Sequence, residues 1–127
     1  MSLRVLDEQR AASAEALCER IVPGCIRTGA VVFVDAMLAK MPVDARAGAL
    51  EAIDMLSQAD SLEALSAKAH APGFALVRAL AIQAYYSDFV APGRPGPGAW
   101  AEIDFQPPRA VDLERDWSWL GIGESAR

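Results

Sequence analysis

Residues 28–41 read Thr28-Gly-Ala-Val-Val-Phe-Val-Asp-Ala-Met-Leu-Ala-Lys-Met41, and the structure that this stretch adopts decides the fold. Its Val31-Val-Phe-Val34 core is rich in β-branched residues and would suit a buried strand. We predict a helix with Thr28 as its N-cap, because the apolar run is longer than a typical strand and has no second strand-like segment to pair with. A helix that is apolar on nearly all sides belongs at the centre of a bundle.

The sequence on either side of this stretch predicts two further helices. Alanine occupies 20 of the first 87 positions, which favours helix almost throughout. Apolar residues recur at helical spacing across residues 7–22, and Pro23-Gly24 ends that helix. Asp44 is the predicted N-cap of another helix, from Ala45 to about Ser57.

Two more helical segments complete the first part of the chain. Ser61 is the predicted cap of a short helix that ends at Ser66, and residues 73–86 contain a single charge, Arg78, which is typical of a largely buried helix. The short connections favour antiparallel neighbours. We therefore predict an all-α protein, with a compact bundle of four to five helices over residues 1–88.

The character of the sequence changes after Asp88. Five of the eight prolines and all three tryptophans lie beyond this residue, and the prolines and glycines prevent a continuing helix or a central strand. We predict that residues 89–127 form an extended Pro/Gly/aromatic C-terminal arm. Burial of the tryptophans alone cannot offset the entropy of ordering so long a segment, so the arm is expected to dock at several points.

Large aromatic residues in and before the arm are the predicted sites of docking. Aromatic anchors separated by low-energy linker are typical of protein–protein interfaces. We expect them to bind a partner or to anchor the arm, and the alternative that the arm wraps its own bundle stays open. The predicted partner-binding residues are Tyr85, Tyr86, Phe89, Trp100, Phe105, Trp117 and Trp119.

Composition excludes several other kinds of partner. The net charge is −5 and no Lys/Arg cluster is present, which argues against nucleic-acid binding. No apolar stretch approaches the ~20 residues needed to span a bilayer, so no membrane span is expected. The N-terminus becomes acidic within eight residues and has no apolar signal region, so a cytoplasmic location is expected.

The sequence contains few residues that could carry chemistry. His70 is the single histidine, and no serine lies in a Gly-x-Ser-x-Gly motif. The glycines of residues 93–98 alternate with prolines, which lack the N–H donors that a phosphate needs. Cys18 and Cys25 are expected to be reduced thiols. We predict no catalytic residue, no metal site and no cofactor bound by this chain.

Three segments resemble a known family. They are Leu6-Asp-Glu-Gln-Arg-Ala-Ala-Ser-Ala-Glu-Ala-Leu-Cys-Glu-Arg-Ile-Val-Pro23, Val32-Phe-Val-Asp-Ala-Met-Leu38, and Ala84-Tyr-Tyr-Ser-Asp88 before a Gly/Pro-rich aromatic stretch. In this order they are similar to the gluconate 2-dehydrogenase subunit 3 family, the small subunits of FAD-dependent sugar and alcohol dehydrogenases.

The resemblance implies a non-catalytic small subunit that forms a hetero-oligomer with a large flavoprotein. That partner would be a glucose-methanol-choline-type oxidoreductase acting on a sugar, glycoside or similar alcohol, and it would bind the FAD. The small subunit would help it fold, remain stable or be exported. Family members typically carry a twin-arginine leader, and the sequence given has none, so the resemblance points to a cytoplasmic two-subunit oxidoreductase.

A second hypothesis is a stand-alone helical enzyme or ligand-binding protein. In that case the arm would close over a pocket, with His70 or Asp35 as the polar group inside. Asp35 is notable because it lies in the most apolar segment, where a buried carboxylate needs a hydrogen-bonding partner.

Overall fold

The prediction of an all-α bundle is confirmed. A computed structural model of the protein describes residues 2–105 and 118–121, and within these residues it contains six α-helices and no strand. The helices are α1 (Glu8–Ile21), α2 (Cys25–Thr28), α3 (Ala30–Lys40), α4 (Val43–Leu56), α5 (Leu62–Ser66) and α6 (Phe74–Tyr86). None of the described helices is long and apolar enough to cross a bilayer.

Helix α3 lies at the centre of the bundle. It packs against α1, α2, α4 and α6, and seven of its eleven residues are buried. Because apolar side chains point in nearly every direction from this helix, only a position surrounded by other helices removes all of them from water. The free energy gained by burying the β-branched residues of α3 thus outweighs their weak intrinsic preference against helix.

The start of α3 differs from the prediction. Thr28 is not its N-cap but the last residue of the one-turn helix α2, and its hydroxyl donates a hydrogen bond to the carbonyl of Cys25. Gly29 separates the two helices in a left-handed conformation, with φ 70°. A Cβ at this position would lie 2.6 Å from the Cβ of Ala91, so the arm passes directly over this glycine.

One of the two other predicted caps is correct. Asp44 is not the N-cap of α4, because Pro42 occupies that position and the helix begins at Val43. The Asp44 carboxylate lies instead in the first turn, where a negative charge favours the helix dipole. Ser61 caps α5 as predicted, since its hydroxyl oxygen accepts a hydrogen bond of 3.0 Å from the Ala64 amide.

Candidate partner-binding surface

The first residues of the arm are part of the protein's core. Phe89 is completely buried, and its ring meets that of Phe33 on α3 edge to face at 5.5 Å between centroids. Ala91 is also buried, and its amide donates a hydrogen bond of 2.8 Å to the carbonyl of Thr28. The arm therefore begins by crossing the end of α2 and the face of α3.

A turn at Asp88 directs the chain from α6 into the arm. Asp88 is buried and has a left-handed backbone conformation, with φ 67°. Its carboxylate accepts a hydrogen bond of 3.0 Å from the amide of Trp100. Gly98 approaches the same carboxylate so closely that an added Cβ would lie 2.3 Å from Oδ1. The acidic residue at the end of the Tyr-Tyr-Ser-Asp segment thus holds the two ends of the Pro/Gly loop together.

Helices α2 and α6 hold the far side of this loop through a small polar network. The hydroxyl of the buried Tyr85 donates a hydrogen bond to Glu102, and burial together with that bond raises the pKa of Tyr85 above its ordinary value. Arg27 lies 3.3 Å from the same carboxylate and donates a second hydrogen bond, of 2.6 Å, to the carbonyl of Pro97. Gly24, at φ 111°, has no Cβ that would collide with the Tyr85 ring.

This scaffold presents an aromatic surface, by which we mean Tyr86, Trp100, Ile103 and Phe105. The indole N–H of Trp100 donates a hydrogen bond of 2.8 Å to the carbonyl of Tyr86. Its ring meets that of Phe105 edge to face at 5.0 Å, and the Phe105 amide donates to the Trp100 carbonyl at 2.9 Å. Tyr86 and Phe105 are each 47% exposed, and Ile103 is 60% exposed.

A groove of about 420 Å³ runs along this surface. It is lined by Asp88, Val90, Gly96, Pro97, Gly98, Trp100, Ala101 and Phe105. Exposed aromatic rings beside a groove are more informative than isolated exposed apolar residues, because such clusters mark interaction sites.

A second part of the arm docks elsewhere, on α3 and the N-terminal segment. Leu120 is fully buried, and the guanidinium of Arg4 donates hydrogen bonds of 2.9 Å and 2.7 Å to the carbonyls of Leu120 and Gly121. Trp119 is 51% exposed. It meets Phe33 edge to face at 6.4 Å and carries the ammonium of Lys40 over its ring at 5.9 Å.

The structure divides the predicted partner-binding residues into three groups. Tyr85 and Phe89 are buried and anchor the arm to its own bundle, which is one of the two roles expected for them. Trp100 contacts Phe105 through its ring and the backbone carbonyl of Tyr86 through its indole N–H, whereas Trp119 lies apart on α3 and Trp117 lies outside the described residues. A role in partner binding stays a prediction for all of them.

Sequence reasoning missed the polar residues that hold this surface in place. Nothing in the sequence marked Glu102 or Arg27, because residues 75 positions apart with no repeated spacing give no signal of contact. Asp88 was visible as the end of a motif, but its role depends on the loop closing back on it. Ile103 was missed because it is an isolated aliphatic residue between two acids.

Neither polar residue of the second hypothesis lines either of the two grooves described in this subsection. His70 is exposed in the turn after α5. The buried Asp35 carboxylate accepts three hydrogen bonds of 2.8 to 2.9 Å from the backbone amides of residues 4–6. It therefore holds the N-terminal segment on α3, and its hydrogen-bonding capacity is taken up there.

A further groove, of about 570 Å³, is polar and open. It lies beside the exposed ion pair between Arg10 and Asp54, whose closest atoms are 2.8 Å apart, and the hydrogen bond from Arg10 lowers the pKa of Asp54 below its ordinary value. Cys18 and Cys25 are free and buried. Among residues 2–105 and 118–121, no cluster of His, Cys, Asp and Glu could hold a metal ion.

No protein-family model matches the chain, and neither a curated protein nor a solved structure matches it significantly. The resemblance to gluconate 2-dehydrogenase subunit 3 proteins therefore stays a prediction, and the function has to be argued from the surface itself.

Proposed function

We propose that this chain is a non-catalytic small subunit that binds and stabilises a large FAD-dependent oxidoreductase of the glucose-methanol-choline type. The observation that carries the proposal is the aromatic surface. Trp100 contacts the ring of Phe105 and donates a hydrogen bond to the backbone carbonyl of Tyr86, and Tyr86 and Phe105 are each about half exposed. Aromatic side chains on a fixed backbone are the usual centres of protein–protein interfaces.

The polar groups around this surface favour binding over catalysis. Asp88 accepts a hydrogen bond from the backbone of the arm, and Glu102 is engaged by Tyr85 and Arg27. Each of these groups holds the loop in shape, whereas a general acid or base needs to be within reach of a substrate proton. The arrangement resembles a scaffold that presents aromatic rings.

The identity of the partner rests on the resemblance stated above. FAD and the oxidation of a sugar, glycoside or similar alcohol belong to the large subunit in this proposal, and the small subunit covers an apolar patch of that protein. We propose a cytoplasmic location for the complex, and cell fractionation tests that location separately.

Co-expression with a large flavoprotein encoded beside this chain tests the proposal. The flavoprotein is purified through its own tag, and the amount of this chain and the FAD absorbance per mole of protein are measured. We expect a stoichiometric complex, and lower yield or FAD content of the flavoprotein expressed alone. The double variant Tyr86→Ala/Phe105→Ala should weaken binding by at least ~30-fold if one of the two residues is a hot spot.

A matched control removes two exposed apolar side chains from other parts of the bundle. Val43 and Leu62 are both largely exposed, on α4 and α5. Val43→Ala/Leu62→Ala should leave the complex unchanged. A flavoprotein that is equally stable and FAD-loaded alone, and that does not co-purify with this chain, would contradict the proposed function.

A further inference from the structure

Carboxylates surround the aromatic surface. Asp88 lines the groove, and Glu102 and Asp104 flank Ile103 on the turn that carries Phe105. Arg27 offsets the charge of Glu102. Asp104 is exposed and forms no ion pair with any residue that the structure describes. Among the described residues, the surface therefore carries one exposed carboxylate without an ion pair, that of Asp104. The chain as a whole has a net charge of −5.

Aromatic rings beside carboxylates form a favourable site for a cation. The ring face attracts an ammonium or guanidinium group, and a nearby carboxylate adds Coulomb attraction. The same molecule already shows this contact, because the ammonium of Lys40 lies over the half-exposed ring of Trp119. A Lys or Arg side chain from another protein would meet comparable chemistry at Phe105, with Asp104 as its immediate neighbour.

The same charges disfavour a second copy of this chain as the occupant. Two aromatic surfaces brought face to face would place Asp104 and its neighbouring carboxylates against their own counterparts. Like charges across an interface cost several kcal/mol and are a common means of rejecting a wrong partner. The occupant should therefore carry the opposite charge.

From these observations we infer that the aromatic surface binds a segment of the partner protein that combines apolar side chains with Lys or Arg. This inference rests on the proposed function, in which that partner is the large flavoprotein. The few side chains of the surface cover only part of the ~800 Å² that each partner contributes to a standard interface. They form its hot spot, and the positive charges of the partner steer the encounter.

Charge reversal in the complex is the first test. Asp104→Lys should weaken binding to the co-expressed flavoprotein by about tenfold or more at low salt, mostly through slower association, with a smaller effect at high salt. Asp60→Lys controls for the charge change, because Asp60 is exposed in the connection before α5. Asp104 has a left-handed backbone, with φ 52°, which strains a lysine, so Asp104→Asn is measured beside it. Asn tolerates this conformation and removes the charge, and it should also weaken binding at low salt. Equal binding by wild type and Asp104→Lys would overturn the inference and leave the proposed function intact.

A second test needs no flavoprotein. The chain alone is titrated with two synthetic ten-residue peptides that share the same apolar residues and differ only in carrying three Lys or three Glu. NMR shifts are expected for the Trp100 indole N–H and for amides of residues 96–105 with the Lys peptide only, and they should be lost in the Asp104→Lys/Phe105→Ser variant.

The outcomes separate the two claims. Binding of the Lys peptide without a flavoprotein complex would support the chemistry of the surface and contradict the proposed partner. The inference would be overturned by any of three results. The peptide shifts could be confined to other residues, they could be equal for both peptides, or the chain without peptide could show shifts that depend on its own concentration. The last result would identify a second copy as the occupant.

Discussion

The helical bundle and the arm are ordered by different means. In the bundle, apolar faces repeat at helical spacing and the backbone satisfies its own hydrogen bonds. In residues 89–105 the backbone has almost no regular structure, and a few buried anchors such as Phe89 and Ala99 alternate with exposed Pro/Gly segments. Side chains and backbone groups of the helices supply hydrogen bonds that the arm cannot make within itself.

This difference shows how the arm adds exposed aromatic side chains to the one that α6 presents at Tyr86. Each helix turns its main apolar face inward, so most large apolar side chains of the bundle are buried, with exceptions such as Val43 and Leu62. A segment tied down at separate points can leave aromatic residues such as Phe105 facing outward between its anchors. The comparison predicts that anchors and exposed aromatics respond very differently to substitution.

Removal of the arm's main anchor should have the largest effect. Phe89→Ala empties a fully buried site against Phe33 and should lower the free energy of unfolding by about 3–5 kcal/mol, as measured by urea denaturation. Phe105→Ala makes the same chemical change at a half-exposed site and should cost less, about 0.5–1.5 kcal/mol for its ring contact with Trp100. Equal stabilities of the two variants would show that the arm is not part of the cooperative unit.

Loss of Asp35, the polar anchor of the bundle, should have the second-largest effect on the free energy of unfolding. Asp35→Ala leaves the amides of residues 4–6 without their acceptor inside the protein and should cost about 2–3 kcal/mol in the same measurement. Asp44→Ala is the control, because its carboxylate is exposed and contributes at most ~1 kcal/mol at a helix N-terminus. A loss below that of the control would mean that the N-terminal segment is not held by Asp35.

The arm's polar anchor should have a smaller and more local effect. Glu102→Ala removes the acceptor for Tyr85 and Arg27, and we expect a loss of about 1 kcal/mol. Amide hydrogen exchange should accelerate in residues 97–105 and remain unchanged in α3. If amide hydrogen exchange accelerated throughout the bundle as well, the bundle and the arm would not be stabilised independently.

The ionisation of the two thiols in the bundle should have the smallest effect on the free energy of unfolding near neutral pH. Burial raises the pKa of both Cys18 and Cys25 to about 12, so the folded chain keeps them protonated where the unfolded chain releases the protons. The ordinary pKa of a thiol is 9.0. The thiols therefore leave the free energy of unfolding unchanged well below pH 9, and they lower it as the pH rises through 9 toward 12.

Between pH 8 and pH 9 the expected loss for both thiols together is about 0.7 kcal/mol. Urea denaturation at the two pH values measures it, and the Cys18→Ala/Cys25→Ala variant should lack this pH dependence. A wild-type stability that rises over this interval would contradict the buried, protonated state.

The sequence predicted the helices well, because the signals for them are local. The apolar run of residues 30–40, the cap at Ser61 and the stop at Pro23 each depend on near neighbours. The two wrong caps failed because a nearby residue took the terminal position. Gly29, in a left-handed conformation, follows Thr28, and Pro42 lies two residues before Asp44.

The candidate surface could be predicted only in part. Its aromatic residues were recognisable by type, but which of them face inward depends on contacts between distant positions. Tyr85 and Tyr86 are adjacent in sequence, and yet one is buried and the other is half exposed because successive residues of a helix point about 100° apart. The network of Arg27 and Glu102, which fixes the arm, carries no local signal at all.

The hydrogen bonds of Arg4 to Leu120 and Gly121 have a consequence for the topology of the chain. They bring residues 117 positions apart side by side, so the path from residue 4 to residue 121 is nearly a closed ring. A short linker could join these positions, and new ends could be opened after Asp60, which is exposed between α4 and α5. A circularly permuted chain of this kind should keep the same core, although it would begin and end between α4 and α5.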